Sequence, residues 1–266
     1  MSEKLTRQAI CHSLRSNLNV EVEVLESVDS TNLEAKRRIS AGPAAPLLLI
    51  ARSQTAGRGR LGRAFCSPEG AGLYMSLVLH PNAPAEEVLA LTSAAAVAVA
   101  TAIEALTPLQ PKIKWVNDVY VGDKKVSGIL TEGITDPLSG RLQSVVVGIG
   151  INCTHAAFPD EVAAIATSLA DEGAEVDQNR LAAEVCDRLL ALYEALPRKT
   201  WLPLYRERSW LCGKEVVYRR GDYLHTGKVL GIGEEGELIL ATDEGEVRLS
   251  TGEVSVRPVE RAGELF

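Results

Sequence analysis

Residues 145 to 151 read Val-Val-Val-Gly-Ile-Gly-Ile, an unbroken run without one polar side chain. Neighbouring residues of a strand point to opposite faces, so a strand of this composition is apolar on both and belongs mid-sheet. The flanking text supplies the rest of such a sheet. Leu47 to Arg52 predicts a short buried strand and Gly72 to His80 a second. Lys112–Trp115, Val119–Val121 and Lys125–Glu132 predict three more, the last two joined by the hairpin signal Gly122-Asp123-Lys124. Helices fall between them. Ser30-Thr31-Asn32-Leu33-Glu34 opens one, with Thr31 as its cap and Glu34 at the reciprocal capping-box position; Gly42-Pro43 stops it. Glu86 to Leu106 is a long Ala-rich helix, and Asn179–Leu196 and Thr200–Leu211 follow the central strand. At Gly213 the texture changes. Glu215–Arg219, Gly227–Ile232, Glu237–Ala241 and Glu246–Ser250 alternate with Gly and acid-rich turns, the pattern of a small β-barrel. The chain therefore reads as a mixed α/β (α+β) fold followed by a β module.

A chain of 266 residues can bury a full core and add a small second domain. Its formal charge of -7 argues against broad nucleic-acid affinity. Leu89 to Leu106 is apolar, but Thr92, Ser93, Thr101 and Glu104 mark it as a buried helix, so no membrane partner is expected. Cys11, Cys66, Cys153, Cys186 and Cys212 are odd in number and never spaced C-x-x-C, which disfavours structural disulfides and zinc. The charged opening Met1-Ser2-Glu3-Lys4 lacks an apolar signal core. A cytoplasmic location is expected.

Positive charge is nonetheless concentrated. Residues 35 to 68 hold seven Lys or Arg and no Asp or Glu, against the acidic trend of the whole. At the centre lies Gln54-Thr55-Ala56-Gly57-Arg58-Gly59-Arg60-Leu61-Gly62-Arg63. Glycine lets the backbone turn tightly and approach a ligand, while each Arg offers a planar fork that fits phosphate or carboxylate oxygens. A solvated basic turn is the plainer reading, but no acid here neutralises the arginines. Gly57 to Gly62 formally matches G-x-G-x-x-G. That fingerprint needs a helix to begin inside the loop, and Ser67-Pro68-Glu69-Gly70 opposes one, so a dinucleotide fold is rejected.

Two further clusters bear on chemistry. In Lys112-Ile113-Lys114-Trp115-Val116-Asn117-Asp118, the Asn-Asp pair is an ordinary turn signal, yet Asp118 suits a magnesium ion shared with phosphate. Lys125 enters an apolar strand, either as a snorkelling edge lysine or as a cation over a neighbouring site. In Gly148-Ile149-Gly150-Ile151-Asn152 the glycines weaken a strand unless something approaches its backbone, and Asn152 caps the strand or faces a ligand. No nucleophile elbow and no metal-spaced histidines occur among His12, His80, His155 and His225.

Taken in order, Asp29-Ser30-Thr31-Asn32, the Gln54–Arg63 loop, Lys114-Trp115-Val116-Asn117-Asp118, Lys125-Val126-Ser127-Gly128-Ile129-Leu130 and Gly148-Ile149-Gly150-Ile151-Asn152 resemble the biotin protein ligase family, over about Val20 to Arg257. The resemblance implies a mixed-sheet catalytic domain like that of class II aminoacyl-tRNA synthetases, over 1–212, and an SH3-like barrel, over 213–266. It implies activation of biotin with ATP and Mg2+ to biotinyl-5′-AMP, then transfer to a lysine of a biotin carboxyl carrier protein. By the same resemblance Arg58, Arg60 and Lys125 are catalytic. Ser30, Thr31, Asn32, Gln54, Gly57 and Gly128 join them around biotin. Arg63, Trp115, Asn117, Asn152 and Arg257 join the two arginines around ATP, Glu253 lies nearby, and Asp118 holds the metal. The family also admits a homodimer.

Three departures stand out. Val116 replaces a common Pro, Phe65 replaces a frequent Trp, and only about twenty residues precede the similar region. The last departure predicts no helix-turn-helix domain and no DNA partner. Two rival readings remain at this stage: a lipoate or octanoate ligase or transferase of the same fold, and a phosphate- or RNA-binding adaptor.

Overall fold

A computed structural model describes residues 4–16, 19–41, 46–81, 87–136, 139, 141–155, 158–220, 223–250 and 256–259. Its first elements are α1 (Arg7–Ser13), β1 (Glu21–Leu25), α2 (Thr31–Ala41), β2 (Leu47–Ala51), β3 (Gly72–Leu79) and α3 (Glu87–Leu106). β4 (Lys112–Lys114), β5 (Asp118–Val121), β6 (Lys124–Thr135) and β7 (Leu142–Asn152) follow, then α4 (Asp160–Ala163), α5 (Gln178–Glu194) and α6 (Trp201–Glu207). The C-terminal strands are β8 (Glu215–Arg220), β9 (Tyr223–Ile232), β10 (Leu238–Thr242), β11 (Gly245–Leu249) and β12 (Val256–Pro258).

Seven strands form one sheet in the order β1-β2-β3-β7-β6-β5-β4. Only β1 and β2 run parallel, joined by α2, and the other pairs are antiparallel. β7 occupies the middle, as its doubly apolar pattern requires. Its odd-numbered Val145, Val147, Ile149 and Ile151 enter the large core with α3 and α5, while Val146 meets Ala35, Leu47, Leu49 and Val78 under α2. Gly148 and Gly150 share the face of Val146, so the α2 side of the central strand carries a bare strip.

The Ala-rich helix α3 is long and apolar enough to cross a bilayer by composition. Here residues 94 to 100 are wholly buried, and the helix packs on β6, α5 and α6. Small side chains allow that close approach on several sides at once.

Two boundaries shift for identifiable reasons. α2 starts at Thr31, not after it, because the Gln54 side-chain carbonyl accepts the Thr31 N–H at 2.9 Å and its hydroxyl at 3.1 Å. Glu34 pairs forward with Arg37 and Arg38 and does not close a capping box. α6 ends at Glu207, short of Leu211. Backbone bonds from Ile113 N–H to Arg208 O (2.6 Å) and from Trp210 N–H to Ile113 O (2.8 Å) draw the chain onto the edge of β4. Gly42, Pro43, Glu86 and Glu253 lie outside the described residues. α1, α4, β1 and β12 carry no signal that the pattern reading picked up.

β8 to β12 form a separate antiparallel sheet in the order β11-β10-β9-β8-β12. The turn from β9 to β10 includes Gly236 at φ +85°, a conformation that favours glycine.

Candidate active site

The bare strip of β7 is the floor of a cleft. Gly150 pairs across the sheet with Gly128 of β6, and both line the cleft together with Gly148. A methyl group on Gly148 would lie 2.1 Å from the Asn32 carbonyl oxygen, and one on Gly150 would lie 2.4 Å from the Phe65 ring. The glycines therefore make room for a helix N-terminus and for an aromatic ring from the loop.

That loop, residues 52–71, folds back on itself. Gln54 N–H donates to Ser67 O (3.1 Å), Phe65 N–H to Gly57 O (2.9 Å) and Gly59 N–H to Arg63 O (2.7 Å), giving an irregular hairpin. Its tip turns through Leu61 (φ 56°) and Gly62 (φ 73°). Gly57 is required by chain crossing, since a Cβ would sit 2.3 Å from Phe65 O and 2.6 Å from Ser67 Oγ. It is not among the residues that line the cleft. At the base of the loop, Phe65 packs edge-on against Tyr74, whose hydroxyl donates to Pro68 O at 2.9 Å.

The cleft has two chemically distinct ends. One is neutral: Ser30, Thr31 and Asn32 at the start of α2, with Gln54 bonded to Thr31. Gln54 Nε2 donates to Ser67 Oγ at 2.8 Å, which in turn donates to Phe65 O at 3.0 Å. Asn32 is fully engaged, donating to Leu130 O (3.1 Å) and Glu132 Oε2 (2.8 Å) and accepting from Ser76 Oγ (2.7 Å). It braces the wall between α2 and β6.

The other end is cationic. Arg58, Arg60 and Lys125 line it, and no carboxylate does. Their balancing groups stand behind them. Lys125 Nζ lies 2.7 Å from Asp118 Oδ1, and Arg58 lies 3.8 Å from Glu132, which also pairs with Lys36 at 2.6 Å. Arg60 donates to Asn117 Oδ1 at 2.6 Å, and Asn117 Nδ2 donates to Ile129 O at 2.9 Å. Burial pulls Arg60 below its ordinary pKa, opposed by the nearby Asp118 charge. Burial pushes the Glu132 carboxyl up, but hydrogen bonds from Lys36 and Asn32 outweigh it and hold the group below the usual carboxylate range. Three cations facing an acid-free wall constitute a site for anions.

Of the residues predicted for function, Ser30, Thr31, Asn32, Gln54, Arg58, Arg60, Asn117, Lys125 and Gly128 converge on this cleft. Others do not line it. Arg63 is exposed at the end of the hairpin tip. Asn152 is buried and donates to Thr167 O at 2.9 Å. Trp115 is buried beneath the site, and its indole N–H donates to Gly236 O at 3.0 Å. Asp118 stands behind Lys125, and the Arg257 backbone pairs with Val217. Pattern reading passed over Glu132, Ser67 and Ser76. Glu132 had a signal, since residues 128, 130 and 132 of a strand share one face.

Known proteins match this chain along most of its length. Residues 24–152 fit the model of the biotin/lipoate A/B protein ligase family, and residues 211–257 fit that of the biotin protein ligase C terminal domain. The chain is 34% identical over 245 residues to the biotin–[acetyl-CoA-carboxylase] ligase of Mycobacterium tuberculosis, covering 88% of each. The chain belongs to the biotin protein ligase family. Another biotin protein ligase relative, the bifunctional ligase/repressor BirA of Bacillus spizizenii, is 36% identical over 250 residues, 90% of this chain and 75% of that protein. The biotin protein ligase of Aquifex aeolicus, solved with biotin and ATP, superposes with a TM-score of 0.77 at 32% identity, over 90% of this chain and 99% of that one.

Proposed function

We infer that this chain is a biotin–[biotin carboxyl carrier protein] ligase. It joins biotin to ATP as biotinyl-5′-AMP, with release of pyrophosphate, and passes the biotinyl group to a lysine of a carrier protein. One observation carries the reading: a glycine-floored cleft whose lining holds Arg58, Arg60 and Lys125 and no carboxylate. In the first step a biotin carboxylate oxygen attacks the α-phosphorus of ATP, and the bond to pyrophosphate breaks. Two anions must approach each other, so the reaction calls for orientation and charge stabilisation and for no protein nucleophile. In the second step the carrier's lysine amine attacks the biotinyl carbonyl, AMP departs, and the amine loses its proton.

In this reading the neutral end holds the biotin rings. Arg58, Arg60 and Lys125 surround the point where carboxylate and phosphate meet, and Asn117 keeps Arg60 aimed there. Magnesium fits as an ion shared with substrate phosphates. Among the described residues no group of three His, Cys, Asp or Glu could cage it, and Asp118, the candidate carboxylate, would have to exchange its pairing with Lys125 to reach it. Bound there, it would offset phosphate charge. The C-terminal unit, beginning near Gly213 in this reading, carries the separate sheet of β8 to β12. Cys11 and Cys212 are exposed free thiols, which favours a reducing cytoplasm.

The decisive assay is exchange of pyrophosphate into ATP with biotin, lipoate or octanoate. Biotin alone should support exchange; exchange driven by lipoate or octanoate in place of biotin would overturn the assignment. Incubation with biotin and ATP should also protect the 58–64 tip from proteolysis.

A further inference from the structure

Trp115 stands two residues before Asn117, yet it does not line the cleft, and its indole N–H reaches the C-terminal sheet. The turn from β9 to β10 receives it. Gly236 O accepts the buried Trp115 indole N–H at 3.0 Å. On its other side a Cβ at Gly236 would lie 2.9 Å from the Trp201 ring, so the turn is wedged between two indoles.

The wedge is braced from both directions. Inside the turn, Gly233 N–H donates to Glu237 O (2.9 Å), and Glu237 Oε2 accepts the Glu235 N–H (2.9 Å) while Oε1 pairs with Arg248 (2.8 Å). Outside it, Arg206 donates to Ile232 O (2.9 Å) and pairs with Glu234 (2.8 Å), and Lys199 pairs with Glu235 (2.6 Å).

From Trp115 the connection runs into the cationic end. Val116 O accepts the buried Tyr205 hydroxyl at 3.1 Å. Asn117 then holds Arg60, and Asp118 holds Lys125. At the other end of the cleft Thr31 bonds to Gln54, Gln54 to Ser67, and Ser30 N–H to Asp29, and among the described residues none of these bonds runs to the turn.

We propose that Gly236 and Trp115 are positioning residues: the C-terminal turn sets the placement of Arg60 and Lys125 through the 115–118 segment. The proposal rests on the ligase reading and concerns only how Trp115 and Gly236 hold the 115–118 segment. Losing a buried hydrogen bond of this kind leaves Gly236 O without a partner and relaxes the segment that it holds.

Trp115→Phe keeps an aromatic ring at the position and removes the indole N–H that Gly236 O accepts. In biotin-dependent pyrophosphate exchange by the full chain, it should raise the KM for ATP about tenfold and shift the KM for biotin less than about twofold. Gly236→Ala should give the same split. A merely structural bond would lower the melting temperature and leave both KM values alone, or move them together, and either result overturns the proposal. Should Trp115→Phe and Gly236→Ala fail to fold, Arg206→Gln, which loosens the turn from outside, is read by the same split, and equal KM values there overturn it. A wild-type chain without biotin-dependent exchange would instead sink the ligase reading itself.

Discussion

The two ends of the cleft are organised by different physics. At the neutral end, hydrogen bonds run in a chain from Thr31 through Gln54 and Ser67 to Phe65 O, each partner fixed by the next. At the cationic end, Arg58 and Lys125 rest against carboxylates behind the wall and Arg60 against an amide. Neutral hydrogen bonds define a shape before the ligand arrives. Ion pairs can be exchanged, because an arriving anion competes with Asp118 or Glu132 for a cation already in position. One end is built to select, the other to respond.

That contrast is open to direct attack. The largest effect should come from Arg60→Ala and Lys125→Ala, each lowering adenylate formation by about 10²–10³-fold while the proteins melt as wild type does. Normal exchange rates in both would erase the distinction between the ends. An intermediate effect is expected for Gln54→Ala, which removes the acceptor at the start of α2. It should lower stability by about 0.5–2 kcal/mol, measured by urea unfolding. The KM for biotin should rise while that for ATP stays constant; a rise in the ATP value instead would reverse the assignment of the two ends.

The smallest effect concerns Glu132. Its carboxyl is held below the usual range, so its pairing stabilises the fold at neutral pH and is lost as pH falls through that depressed value. Glu132→Gln should therefore lower stability at pH 7 by no more than about 1 kcal/mol, since Lys36 is partly exposed. The gap to wild type should close as the solution is acidified. A gap that persists in acid would show that packing, not charge, is what Glu132 contributes.

Much of this architecture was legible in the residues. Residues 145–151 announced a central strand, Gly122-Asp123 announced the hairpin into β6, and the acid-free Gly/Arg run announced the cationic wall. The rejection of a dinucleotide fold held, because only a short 3-10 turn at Arg60–Gly62 forms within the loop. What stayed hidden depends on partners distant along the chain. Thr31 looked like a cap because its true capping group, Gln54, is 23 residues away. Trp115 is assigned to the nucleotide by resemblance alone, and no local pattern shows that Gly236, 121 residues away, accepts its indole N–H. Gly57 looked like a ligand contact, whereas it yields to Phe65 O within its own loop. Local pattern reveals which face a residue occupies; it does not reveal which distant group has already claimed that residue's hydrogen bonds.

The Phe65 ring lies over Gly150 and within 3.5 Å of a Cβ placed on Gly128, covering the one pair in the central sheet that has no side chains of its own. An aromatic group placed over facing glycines restores cross-strand packing that they lack. The arginine hairpin is thereby bolted to the sheet at its root, and Arg60 ties its tip to Asn117. An arm so held sweeps a small arc, which limits the direction from which a carrier's lysine can reach the activated vitamin.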